Sequence, residues 1–444
     1  MVLYCQNQSF YETVMINRSK PPALPDVTEH NSLKRRRTMM TRKILSVLLA
    51  LVFMSGLSVT AAFGGAKPIK IGAPISLTGL YASDGREYYE GVVLAVEEIN
   101  ASGGLLGRPL KVITFDIGDQ NAENIVAAGE KLIGRDKVDV LLSPYAGFGV
   151  DVEYFGRYDI PYLHSSATQN TVDMVAADPG RRNVFQTDDT QVGFAKASLA
   201  ALLSLPYDYP NKKMVSLYAD DQWSTLYARI MREGLIKKGW TVVMKRMFPY
   251  GTREWGPVLT RIRSLEPALI CLEALSAEEG ITFFRQFLKN PTNSLIWLGY
   301  GFALKEYPQM LGKEGDGLMG FAYCYPLDSK KGNHLRNAYK KRWGKEIPIT
   351  MVGAGYDAVY IWAKAVERVG DPSDYDAVVK AIQTYPYEGS LGVYRFSQPG
   401  NYAPQGPEYP VTTIQMQGGK HVAIYRDVTP VKGAKFLLPS WIKK

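Results

Sequence analysis

Reactive side chains are sparse in this sequence. The histidines are His30, His164, His334 and His421, and the cysteines are Cys5, Cys271 and Cys324. His164 stands beside Ser165 and Ser166, which superficially suggests a nucleophile with its base. Neighbours at the end of a strand point to opposite faces, however, and no G-x-S-x-G elbow is present to expose a serine. The cysteine spacing matches no metal-ligand pattern, and two distant cysteines make no disulfide framework. Cys271 and Cys324 lie in apolar, strand-like runs and read as two buried thiols, with a bridge between them as the less favoured alternative. The Gly-rich run at 101–107 (ASGGLLG) follows a helical stretch, the wrong context for a phosphate or dinucleotide loop. Catalysis, cofactors and metal clusters are therefore not expected.

Binding chemistry is better represented. Ser143–Gly149 (SPYAGFG) and His164–Thr168 (HSSAT) each follow a strand-like run and supply small or hydroxyl residues ahead of a helical one. Loops at the carboxyl ends of strands bring helix N-terminal N–H groups to a ligand. A carboxylate could be held there by backbone N–H groups and the Ser166 and Thr168 hydroxyls, with no basic side chain. The same residue types also make tight turns and helix caps, and composition alone favours that plainer use.

These loops need a scaffold, and the periodicity supplies one. Strand-like runs begin at Ile69, Leu110, Val138 and Ile160, separated by helical spacing over 86–100, 122–133 and through Val152 and Phe155. Near-continuous Val, Ile and Leu joined by helices of ten or more residues predict buried parallel strands. The rhythm restarts after Gln186, with strands from Lys213, Thr241, Ala268 and Ser294 and helices over 191–203, 225–238, 257–265 and 278–288. Helices from Gly355 and over 374–384 follow, then a strand- and turn-rich tail from Gly389. The fold class is α/β, with two doubly wound units in succession and chain crossings near 186–189, 324–327 and 394–397. No internal repeat is strong at the residue level.

The formal charge is +9 on 444 residues. Residues 1–66 hold eight basic and three acidic side chains, which leaves +4 on the remaining 378. That is too little, and too dispersed, for a nucleic-acid footprint. Residues 1–39 are polar and lack periodicity, so they are expected to be disordered. From Thr41 the chain shows a basic start (Arg42, Lys43), an apolar core from Ile44 to about Val59, and small residues to Ala66. That is the order of a cleavable secretory signal peptide over 40–66; a single membrane anchor is the alternative reading. A start at Met39 or Met40 would give that signal ordinary proportions.

The run from Ile69, IKIGAPISLTGLYASDGREYYEGVVLAVEEINASGGLLGRPLKV, resembles the opening of the branched-chain amino-acid type of ABC-importer binding proteins. The resemblance is carried by ISLTG at Ile75–Gly79, Gly85, Gly91, and above all EINASGGLLGRPL from Glu98 to Leu110. VDVLLSPYAGFG, IPYLHSSAT, YADDQWS and the GYDAVY helix extend it over about residues 67–440. It implies a type I periplasmic-binding fold of two lobes with three hinge crossings, 67–187 with 327–394 and 188–326 with 395–444. It also implies a monomer that delivers a small ligand to a membrane permease with cytoplasmic ATPase subunits, in the periplasm.

Residue by residue, the resemblance assigns the ligand's carboxylate to Ala146, Gly147, Ser166, Ala167 and Thr168. Tyr81 matches a position that often faces the cleft, and Trp223 an aromatic that closes over the ligand; core packing is the competing use of both. Leu275 and Tyr300 end second-lobe strands and complete the set. One feature departs from the family. Its amino-acid binders carry an acid after the strand corresponding to Ser294–Gly301, where Tyr300 and Gly301 stand here. Glu273, Glu278 or Asp221 would have to replace it, because an unpaired buried ammonium is costly. Otherwise the ligand lacks an amino group: an aromatic or aliphatic acid, an amide or a urea. A sensor lobe for a separate signalling partner shares the fold and stays open as a further reading.

Overall fold

The computed structural model describes residues 65–404 and 406–443. The expected leader, Cys5 and all but the last two residues of the expected signal segment lie outside the described residues. The apolar runs form two principal sheets. The first contains β1 (Ile69–Ile75), β2 (Leu110–Asp116), β3 (Val140–Ser143), β4 (Tyr162–His164) and β5 (Val184–Gln186), all parallel, in the order β2-β1-β3-β4-β5. Ile69, Ile71, Ala73 and Ile75 of β1 are wholly buried, as expected where helices cover both faces of a parallel sheet.

The second sheet begins with β6 (Lys213–Ala219), β7 (Thr241–Phe248), β8 (Leu269–Glu273), β9 (Leu295–Leu298) and β10 (Met319–Ala322). Its parallel part runs β7-β6-β8-β9-β10, the same winding as the first sheet. A small pair, β11 (Tyr387–Glu388) and β12 (Val393–Tyr394), intervenes in the chain. Then β13 (Thr412–Gln417), β14 (Lys420–Arg426) and β15 (Thr429–Pro430) add antiparallel strands beyond β10. Each parallel set therefore has a switch point, between β1 and β3 and between β6 and β8, where the winding reverses and a crevice opens at the strand ends.

Helix starts are fixed by short polar side chains. Asn121, Thr168, Thr190, Asp221, Ser329 and Asp374 each accept a backbone N–H from the first turn of the helix that follows, which satisfies one of four donors left free there. The first helix, Ala82–Ala101, begins four residues ahead of the sequence expectation. The stretch read as one helix over 122–133 is α-helical only to Gly129 and continues as a π turn over Glu130–Arg135. The helix expected directly after Thr168 is found at Gln169–Ala177; the one at Lys330–Trp343 was not foreseen, being so rich in Lys and Arg that no apolar stripe announces it.

The Ala82–Ala101 and Val352–Val369 helices touch backbone to backbone. A Cβ on Gly91 would overlap the carbonyl oxygen of Val352, and one on Gly355 that of Tyr88. A Cβ on Gly85 would likewise strike the carbonyl of Ser76, so this glycine seats the helix on the loop after β1. Beside β5, Gln186 donates its N–H to Asn401 O at 2.9 Å and accepts from Ala403 N at 3.0 Å. Tyr409 Oη reaches Thr187 O at 3.1 Å. Two of the segments that run between the sheets thus lie side by side. Residues from Ala66 onward form one compact unit, and Cys271 and Cys324 are both buried and free.

Candidate functional site

The carboxyl ends of both sheets converge on one aromatic pocket. From the first sheet come Tyr145 and Phe148, after β3, and Ser166 and Ala167, after β4. From the second come Trp223 after β6, Leu275 after β8, Tyr300 after β9 and Tyr323 after β10. Tyr145 and Phe148 stack with centroids 5.8 Å apart, and Tyr81 meets both edge-on at 5.4 and 6.0 Å. On the opposite side Tyr300 lies 5.3 Å from Tyr323 and 6.4 Å from Trp223. Leu275 is shared with a larger adjoining cavity of about 410 Å³, which Tyr81, Asp84, Tyr250 and Glu306 also line.

Named contacts join the two sides. Trp223 Nε1 donates to Ala167 O at 3.0 Å. Tyr300 Oη donates to Asp84 Oδ2 at 3.1 Å, and Tyr145 Oη donates to the same oxygen. Lys305 Nζ lies 2.9 Å from Glu87 Oε1, and the Thr350 hydroxyl also donates to Glu87.

Five of the nine residues expected from sequence, Ser166, Ala167, Trp223, Leu275 and Tyr300, line the aromatic pocket. Tyr81 lines the larger cavity. Ala146, Gly147 and Thr168 line neither. Ala146 is fully buried in the apolar cluster with Ile125 and Val152. The N–H of Gly147 is taken by Gln120 Oε1 at 3.0 Å, and that of Thr168 by Gln186 Oε1 at 3.1 Å. The Thr168 hydroxyl caps the Gln169–Ala177 helix and lies 2.8 Å from the Thr171 hydroxyl. Ser166 Oγ is 2.9 Å from His164 Nδ1.

His164 and Ser166 are thus in contact, but nothing activates them. His164 Nε2 has no hydrogen-bond partner among the described residues, so no acid orients the ring. Burial also lowers the imidazole pKa to about 3. A ring that binds protons this weakly is a poor general base near neutral pH.

The acids expected to replace the missing ammonium partner hold other partners, although Glu273 Oε2 is buried without one among the described residues. Glu273 Oε1 accepts the Tyr300 N–H at 3.3 Å, and burial raises its pKa. Glu278 pairs with Arg253 at 2.7 Å. Asp221 caps its helix and accepts from Tyr250 Oη at 2.8 Å.

Sequence reasoning missed Asp84. Its side chain is 5 % exposed, and burial, with Glu87 adding to it, pushes its pKa up to about 7 against the opposing Tyr145 and Tyr300 hydrogen bonds. The neighbouring Tyr81 hydroxyl is held up at about 12, first by burial and then by Asp221, Asp119 and Asp84. In the run YASDGREYYE Asp84 stands just ahead of the helix expected from Arg86, where an acid looks like a dipole partner facing solvent. Tyr145, Phe148 and Tyr323 were also missed; the first two sat inside a loop that had been singled out for its small residues.

The sequence profile of the periplasmic binding protein family matches residues 68–420. The Leu/Ile/Val-binding protein homolog 7 of Brucella abortus is 23% identical over 400 residues, covering 84% of this chain and 96% of the relative. A structure from Silicibacter pomeroyi, assigned to branched-chain amino acid ABC transport, is 26% identical with a TM-score of 0.78 over 84% of this chain and all of its own. A solute-binding protein from R. palustris, solved in complex with benzoate, is 20% identical with a TM-score of 0.68, covering 84% of this chain and 99% of its own. The fold and the match over most of its length make this chain a member of the periplasmic binding protein family.

Proposed function

We propose that the protein is the extracytoplasmic solute-binding component of an ABC importer and encloses a small ligand between its lobes. Membership in the family implies a location outside the cytoplasm. The observation that carries the reading is the aromatic pocket built from Ser166 and Ala167 on one side and Trp223, Leu275 and Tyr300 on the other, together with the adjoining cavity of about 410 Å³ that shares Leu275. A site divided between two sheets is completed only when the lobes meet, the geometry of hinge-closing binding proteins. Export by a cleavable signal at 40–66, lobes at 67–187 with 327–394 and 188–326 with 395–444, and a monomer that hands its ligand to a permease with cytoplasmic ATPases belong to the same proposal. No catalytic step is part of it. The pairing of Gln186 with Asn401 and Ala403 supports the hinge.

The first ligand reading is a carboxylate such as a branched-chain or other amino acid, supported by the names of the Brucella and Silicibacter relatives. A second reading is a ligand outside the amino acids, such as an amide, a urea or an aromatic or aliphatic acid. It is favoured by Tyr300 standing where the ammonium partner was expected and by the internal hydrogen bonds of Gly147 and Thr168. The benzoate complex of the R. palustris protein lends it further support.

Thermal-shift screening of ligand-stripped protein decides whether the cleft captures solutes. The panel spans amino acids, their deaminated acids, amines, amides and ureas. A ligand that binds only the folded state raises the midpoint by mass action, so micromolar binders register at millimolar concentration. Silence across the whole panel would count against capture and return the sensor reading.

A further inference from the structure

The unsatisfied polar groups that line the larger cavity are oxygens, two of them carboxylate oxygens. Asp84 Oδ1 is buried without a hydrogen-bond partner among the described residues, although Asp84 Oδ2 receives two tyrosine hydroxyls. Glu306 Oε2 and Ser83 Oγ are buried and unpartnered too, and all three residues line the 410 Å³ cavity. Its one basic side chain among the described residues, Arg285, already donates to Met310 O at 2.7 Å and lies 3.9 Å from Glu314. Two donors that would hold a carboxylate are consumed, Gly147 N and Thr168 N by glutamine oxygens, and Ser166 Oγ lies in contact with His164 Nδ1.

A volume of this size falls within the range of about 300–1,000 Å³ usual for small-molecule sites. An acceptor left bare in a buried site is costly until a donor meets it.

We propose that the cavity takes an organic cation with N–H groups, a primary amine or amidine, whose nitrogen donates to Asp84 Oδ1 while its carbon skeleton lies against Tyr81, Tyr250 and Leu275. This rests on the reading of the cleft as a capture site and names the ligand class it selects.

The groups that face Asp84 fit that choice. Glu87 shares its helix, Glu306 comes from the segment after β9, and Tyr81, Tyr145, Tyr300, Tyr323 and Cys324 complete the surroundings. The nearby cation is Lys305, paired with Glu87 and also within reach of Glu306. Three carboxyls against one ammonium leave a negative surplus once Asp84 ionises.

Cation binding favours the ionised form of Asp84, which below about pH 7 must first give up its proton. Affinity is then expected to weaken by about tenfold for each pH unit below that value.

The test uses the purified full chain and two matched sets: 3-methylbutylamine, leucine and 4-methylpentanoate, then benzamidine, phenylalanine and benzoate. Calorimetric titration and thermal shift are run at pH 8 and pH 6. The expected result is binding of 3-methylbutylamine or benzamidine at pH 8, at least tenfold weaker at pH 6, and lost in Asp84→Asn. If that variant does not fold, the wild-type pH profile still decides. Binding of leucine, phenylalanine or the carboxylates without the cations would overturn the cation assignment and leave solute capture standing. Cation binding that is equal at both pH values would overturn Asp84 as the anchor. Silence from all six would overturn the cation assignment and weigh against capture itself.

Discussion

The indole nitrogen of Trp223, in the first turn after β6, donates across the cleft to the carbonyl oxygen of Ala167, in the loop after β4, over 3.0 Å. The same oxygen receives the N–H of Gln191 at 2.9 Å, at the start of the helix beyond the hinge segment. Ala167 has φ of +55°, a left-handed conformation uncommon for a residue with a side chain. One carbonyl therefore links the aromatic wall of the second lobe to the segment where the chain leaves the first.

Trp223→Phe should remove that donor and keep most of the ring, costing about 1 kcal/mol at closure and about fivefold in ligand affinity. Trp223→Ala should cost more, about 3–5 kcal/mol, because Trp223 is 4 % exposed and stacks on Tyr227 at 5.3 Å. An aromatic that merely covered a ligand would leave the ligand-free melting temperature unchanged. Denaturant unfolding of both variants without ligand separates the two effects.

Gly91→Ala places a methyl group against the carbonyl of Val352. The overlap is with backbone, which has no rotamer to yield, so a loss of about 1–3 kcal/mol or more is expected. A urea midpoint equal to that of the wild type would show that the two helices are not in contact in solution.

Lys305→Met strips the partner from Glu87, which is 3 % exposed. Lys305 is partly open to solvent, so screening limits the loss to about 1–2 kcal/mol. Combining it with Glu87→Gln should recover part of the stability, since the buried charge goes with its partner. A double mutant less stable than either single change would contradict the pairing.

Asp84→Asn should alter the pH dependence of ligand-free stability. The carboxyl titrates at about 7 in the folded chain and near about 3.9 when unfolded. Between those values the folded protein keeps a proton that the unfolded chain has released. The resulting stabilisation is complete below about pH 4 and is lost as the pH rises through about 7. The melting temperature of the wild type relative to that of the variant is thus expected to fall from pH 5 to pH 8. The buried His164 and His421, whose pKa values burial lowers to about 3 and about 4, are present in both proteins and drop out of the difference.

The fold was legible because buried parallel strands are written as apolar runs with turns between them. The expected start at Leu110 and the Glu278–Leu288 helix coincide with the observed bounds. The site was less legible because small residues in a loop serve both capping and binding, and spacing does not separate the two uses. Thr168 caps a helix, while Ala167, beside it, lines the pocket. Asp84 was hidden for a different reason: its burial depends on Tyr300, 216 positions away in the chain. Tyr145 and Phe148 were within the quoted motif, but an aromatic gives no sign in sequence of whether its ring faces core or cleft.

The named contacts across the cleft, Trp223 to Ala167, Tyr300 to Asp84 and Lys305 to Glu87, are all polar. Exchange for water costs a net of about 1 kcal/mol for a neutral contact and about 1.5–3 kcal/mol where a charged group takes part. On the capture reading these polar contacts add little to the gap between shut and parted forms, and a solute that prefers one of them shifts the ratio by its differential affinity. What such a molecule would present to a membrane partner is an occupancy that follows solute concentration, more a dial than a lock.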